Sequence, residues 1–208
     1  MNSFETDLKR AFYSWHFLAG LVVECIILLY SGSSSELFQM SVPVLPSLPY
    51  SVAWLDEYQS GFLKSYLPRC GQNAYIWGKF LSCGISGGAL LAIACFLCPQ
   101  TAEGQPMQID IFLIFLSGMF WAVTAAVLAA AANSRYVAYG GSFVIFYMLI
   151  ILCERYFKSL YCLYPVEWYE GKHIWVFGGT GIILMLTGLI SIMGIFYYSI
   201  LRGCMARA

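Results

Sequence analysis

The residues able to do chemistry in this chain are few and scattered. Glu24 stands well inside an apolar run, where a carboxyl is costly unless it faces protein or water. Such a group can line a substrate path or relay protons, or sit neutral between helices. Cys95 and Cys98 are three apart, but no second pair of Cys or His lies nearby to complete a zinc site. The two histidines, His16 and His173, stand far apart in sequence and form no metal-ligand cluster. No GxxxxGK[ST] run occurs, so any ATP hydrolysis belongs on another polypeptide. The densest group of charges is Asp56, Glu57, Lys64, Arg69 and Lys79, interleaved with Tyr58, Phe62, Tyr66, Tyr75 and Trp77. That pattern suits a helical segment lying at an interface and engaging a partner, rather than a catalytic centre. The plain alternative is a solvated face turned to headgroups.

The elements that must position these residues are membrane spans. Of 208 residues, 60% are hydrophobic and 11% are Asp, Glu, Lys or Arg, where a soluble domain carries about 25% charged residues. Mean hydropathy is +0.72. Net charge is zero, which favours neither nucleic acid nor acidic substrates. The expected fold is all-α, a single transmembrane domain over 1–208 with six transmembrane helices. The spans are placed near 11–30, 37–55, 80–98, 109–132, 137–153 and 174–201. A helical excursion along the cytoplasmic face is expected over 56–79 and an extracellular, partly re-entrant segment over 154–172. Most of the eight cysteines fall in apolar runs, where Cys packs as a small hydrophobe.

The second span carries Pro43, Pro46 and Pro49 and is expected to bend or break, packed within the bundle so that freed carbonyls find protein partners. Its alternative is one extracellular loop over 31–78 with no crossing. Charge position decides between them. With six crossings and both termini inside, Lys9, Arg10, Lys64, Arg69, Lys79, Arg135, Arg202 and Arg207 lie inside, against Arg155, Lys158 and Lys172 outside. That bias obeys the positive-inside rule. Gly84, Gly87 and Gly88, with the Ala-rich end of the fourth span, suit close helix contact.

Several stretches resemble one family. KRAFYSWHF at 9–17 is similar to an amphipathic lead into a first span. Glu57 precedes Ser60-Gly61-Phe62 within LPSLPYSVAWLDEYQSGFLKSYLPRCGQNAYIWGKFLSCGISGG, and Lys79 opens a span that holds Gly87-Gly88. LYPVEWY at 163–169 comes before the last span. Together they resemble the permease subunits of bacterial type-2 ABC exporters for antimicrobial peptides or multiple drugs, over nearly the whole chain. The segment Leu67 to Asn73 departs from that pattern in being less basic.

The resemblance implies a permease of the bacterial inner (plasma) membrane, itself not an enzyme and without a cofactor of its own. ATP and Mg²⁺ would bind a partner ABC ATPase, a second permease, identical or related, would complete the path, and lipids would surround the pair. It gives Asp56, Glu57, Phe62, Lys64, Tyr66 and Arg69 to ATPase coupling. From residue chemistry, Glu24, Tyr164 and Trp168 are candidates for the translocation path. For Tyr161, Tyr164, Trp168 and Tyr169 the alternative, and the favoured one, is an interfacial aromatic belt. The readings the resemblance competes with are a non-transporting immunity or binding membrane protein and an integral membrane enzyme acting on lipids.

Overall fold

A long apolar run in a bilayer satisfies its backbone by coiling on itself, so hydropathy alone dictates helices here. The computed structural model describes residues 3–32, 35–63, 70–98, 110–157, 160–171, 175 and 179–205, and every regular element among them is helical. Helix α1, Ser3–Phe12, is short and amphipathic. Helix α2, Trp15–Ser31, follows at a 48° bend. The bend is fixed by Ser14, whose hydroxyl accepts from the Phe17 amide at 3.1 Å as the N-cap of α2.

Among the described residues four helices are long and apolar enough to cross a bilayer: α5 (Gln72–Leu97), α6 (Ile111–Ala132), α7 (Arg135–Arg155) and α9 (Gly179–Met205). Asp110 caps α6 by accepting from the Phe112 amide at 2.9 Å, and Asn133 ends it in the left-handed region at φ 52°. The most apolar stretches of α5 and α6 are 61% and 67% buried, against 22% for α7 and α9. The first two are therefore the central pair, and the others lie against them. Leu18, Val22 and Ile26 of α2, Val144 and Met148 of α7, and Leu184 and Ile195 of α9 point outward. Apolar faces of this extent belong in lipid rather than water.

The α5–α6 seam is close because of Gly87. A Cβ there would overlap the Ala122 side chain and come within 2.7 Å of the Pro46 carbonyl. One position thus brings α5 against both α6 and the proline-rich segment.

The stretch expected to span as 37–55 is not one helix. Pro43 sits in α3 (Glu36–Val44), Pro46 opens a 3-10 turn at Leu45–Ser47, and after Pro49 the chain turns before α4 (Ala53–Gln59). Each proline removes an amide donor, and the helix fails in steps. The hydroxyls of Ser41 and Ser47 donate to the carbonyls of Phe38 (2.7 Å) and Val44 (2.6 Å), supplying part of the pairing a buried irregular backbone needs. The pieces still run lengthwise through the bundle. Phe38 packs on Tyr169, Ser41 meets Glu24 midway along α2, and Tyr50 reaches Asp7 of α1.

The segment after α7 folds back on the bundle. The 3-10 turn Tyr161–Leu163 leads to the one-turn helix α8, Glu167–Glu170. Trp168 stacks on Trp121 at 5.8 Å and meets Phe120 edge-on at 5.1 Å, while its indole nitrogen donates to the Cys162 carbonyl at 2.9 Å. Trp168 and Tyr169 are core residues, 2% and 0% exposed, and not part of an interfacial belt.

Candidate functional site

Lys79 opens the chemistry of the fold. It lies two turns into α5 and is 2% exposed. An ammonium in that position must be paired, because an isolated buried charge is far too costly to keep. Each of its three donors has a partner: Asp7 Oδ1 at 2.9 Å, Glu57 Oε1 at 2.7 Å and the Tyr50 hydroxyl at 2.7 Å. The rings of Tyr50 and Tyr75 add cation–π contact at 4.9 and 5.5 Å.

The partners are themselves satisfied. Tyr50 donates to Asp7 Oδ1 at 2.6 Å, and Tyr75 donates to Glu57 Oε2 at 2.6 Å. Arg10, on the exposed side, donates to Glu57 Oε1 at 3.3 Å. Two carboxylates and two cations balance, so the cluster is neutral as a unit. Asp7 Oδ2 alone is buried without a hydrogen bond.

Four segments converge here. Asp7 comes from the inner face of α1, one turn before the fully buried Ala11. Tyr50 comes from the turn after the last proline. Glu57 comes from α4, and Tyr75 and Lys79, one turn apart, from the first turns of α5. α1 packs closely on α5 here, the Phe4 amide nitrogen lying 3.7 Å from where a Cβ on Gly78 would stand, an ordinary contact distance. Chemically the arrangement is a joint. It holds α1, the 50–59 stretch and α5 through one ammonium.

The expected coupling residues divide. Glu57 turns inward to Lys79 and Tyr75. Its neighbour Asp56 faces outward and pairs with Arg135 of α7 at 2.9 Å, both about half exposed. Phe62 is exposed, while Lys64, Tyr66 and Arg69 lie outside the described residues. The path candidates are apart from this joint. Glu24 is fully buried, its Oε1 accepting from Ser41 at 3.0 Å and its Oε2 unpartnered. Trp168 is in the α6–α8 aromatic core, and Tyr164 is half-buried beside it.

Asp7 and Tyr50 were not singled out from sequence, and Tyr75 only as one of the aromatics interleaved with the charges. The only signal for them was Lys79 itself, a cation at the head of an apolar run that needed acidic company. Among the described residues no group of three or more His, Cys, Asp or Glu could hold a metal ion. The eight cysteines are free thiols. The Asp56–Arg135 pair sits in solvent, where such pairs contribute about 0–1 kcal/mol. Asp56→Asn should therefore shift the thermal unfolding midpoint in detergent by no more than a degree or two, a small response that sets the scale for the joint.

No family, curated protein or solved structure matches this chain. The functional reading therefore rests on the joint, the helix pattern and the resemblance read from the motifs.

Proposed function

We propose that the chain is the membrane-spanning permease subunit of an ATP-driven exporter of the type-2 ABC class, with ATP hydrolysed on a separate subunit. The observation that carries this reading is the clamp on the 60–71 segment. The helix leading into it, α4, and the helix leading out, α5, are joined by the Glu57–Lys79 ion pair at 2.7 Å. The same Lys79 reaches α1 through Asp7 at 2.9 Å. A segment held at both ends in this way passes a push at its tip into α1 and α5 together. A segment on loose loops would lose it locally.

In this reading the bent α1–α2 pair supplies the first crossing and the proline-broken 36–59 stretch the second, which makes six. Both termini and the 60–71 segment face the cytoplasm of a bacterial cell, in keeping with the placement of Lys and Arg. Two such chains, identical or related, enclose the path between them. Phe62, exposed at the start of the segment, is assigned to the ATPase contact together with Lys64, Tyr66 and Arg69, which lie outside the described residues. Glu57 positions that surface from inside.

The test is purification of the tagged chain in detergent from its own cells, with co-purifying ABC ATPase identified by mass spectrometry. The wild type should retain the ATPase. Phe62→Ala with Lys64→Ala should lower the recovered ATPase about tenfold, the scale of losing one central contact, at an unchanged melting midpoint. A wild type that retains no ATPase contradicts the reading, as does a double variant that retains it fully.

A further inference from the structure

A cavity of about 300 Å³ with both charged and apolar lining residues lies beside the ion cluster, at the bend between α1 and α2. Its size is at the lower end for small-molecule sites, about 300–1,000 Å³. Arg10, His16, Tyr50, Asp56, Glu57 and Tyr139 are among its lining residues, and Arg10 reaches Glu57 at 3.3 Å.

What matters is which of these groups are already spent. Tyr50 and Glu57 are committed to the cluster. Arg10 uses one contact, at 3.3 Å to Glu57, which leaves most of its five donors open. His16 has no hydrogen-bond partner among the described residues. Asp56 uses Oδ1 on Arg135, and its Oδ2 has no partner among the described residues. The lining therefore offers both unspent donors, at least one of them cationic, and an unspent carboxylate oxygen. A bare anion would meet two carboxylates, and a bare cation would meet Arg10. A zwitterion with phosphate at one end and ammonium at the other suits a lining of both signs.

The depth of the site names the setting. Tyr13 and Trp15, on either side of the bend, are 89% and 78% exposed, as aromatic residues at headgroup level are. Beyond them Leu18 and Val22 run outward along α2, an exposed apolar track where acyl chains would lie. An unpaired carboxylate oxygen calls for an N–H donor, which a primary ammonium has and a quaternary one lacks.

We propose that this cavity binds a phosphate–ammonium zwitterion of the phosphoethanolamine type, with phosphate on Arg10 and His16 and ammonium on Asp56. The proposal needs the chain to be in a membrane and does not need it to be an exporter, so the two readings fail separately.

The test uses the full chain in detergent, titrated with dioctanoyl-phosphatidylethanolamine, dioctanoyl-phosphatidylglycerol and soluble glycerophosphoethanolamine, with bound species counted by native mass spectrometry. The ethanolamine lipid should bind saturably and about tenfold tighter than the glycerol lipid, the worth of one charge-assisted hydrogen bond. Arg10→Gln with His16→Gln should weaken it by about the same factor. Asp56→Asn, which conserves shape, should remove the preference between the two lipids at an unchanged melting midpoint. Equal competition by glycerophosphoethanolamine would assign the site to a free headgroup, and failure to compete would assign it to the lipid. Equal affinity for both lipids in the wild type overturns the proposal. So does an undiminished preference in a folded Asp56→Asn variant.

Discussion

Replacing Lys79 with methionine should destabilise the protein by about 3–5 kcal/mol, the cost of breaking a buried ion pair by removing one partner. Methionine fills most of the volume but leaves Asp7 and Glu57 as buried carboxylates without their shared cation. Arg10 cannot replace it, because it is 61% exposed and reaches Glu57 from the solvent side. The diagnostic is the double variant. Adding Asp7→Asn to Lys79→Met removes one of the stranded charges, so the pair should be more stable than the single lysine variant. Independent sites would instead add their losses. Thermal unfolding in detergent of the wild type, the two single variants and the double variant reads the coupling.

Gly87→Ala is the second large effect, from one methyl group. The new Cβ would overlap the Ala122 side chain and lie 2.7 Å from the Pro46 carbonyl. Neither can yield easily, since one is a short side chain on the central helix and the other is backbone. Overpacking of this kind costs about 1–3 kcal/mol, here at a point where three segments meet. The control is Gly188→Ala on α9, where a Cβ meets nothing within 4 Å. Relieving a helical glycine without a clash should stabilise by about 0.5–1 kcal/mol. Opposite signs at the two positions, measured as melting midpoints, would establish the close α5–α6 approach. Equal small effects would count against it.

The long helices were legible in the sequence because twenty apolar residues in a bilayer leave the backbone little choice. The stretches placed at 109–132 and 137–153 overlap helices Ile111–Ala132 and Arg135–Arg155. The stretch placed at 80–98, with Lys79 as its boundary, falls within a longer helix that begins at Gln72 and carries Lys79 inside it. Hydropathy treats a lysine as an end because it cannot see the carboxylates that neutralise it. The prolines gave fair warning that 37–55 would break, but not where the pieces would go.

The joint itself was out of reach of sequence reading. Its members are brought together by tertiary packing over separations of up to 72 residues, Asp7 to Lys79. Local spacing placed Glu57 with Asp56 among the charges of a partner-facing helix. The fold turns the two neighbours in opposite directions, one to Lys79 and one to Arg135. Trp168 was misplaced for a related reason. Aromatics near a span end ordinarily form a belt, but this one is carried inward by the fold-back of 160–171 and stacks on Trp121.

The central claim is that one ammonium binds α1 and α4 to α5 as a unit. Hydrogen exchange across Ser3–Phe12 in the wild type and in Glu57→Gln tests it most directly. Glu57 touches α1 through Arg10 at the surface and through Lys79 in the interior. If the joint acts as a unit, the amides of α1 should exchange about tenfold faster in the variant, the response to about 1.4 kcal/mol of lost protection. An Arg10→Gln variant should leave α1 far less affected. Unchanged α1 exchange in Glu57→Gln, at a melting midpoint equal to the wild type, would contradict the account.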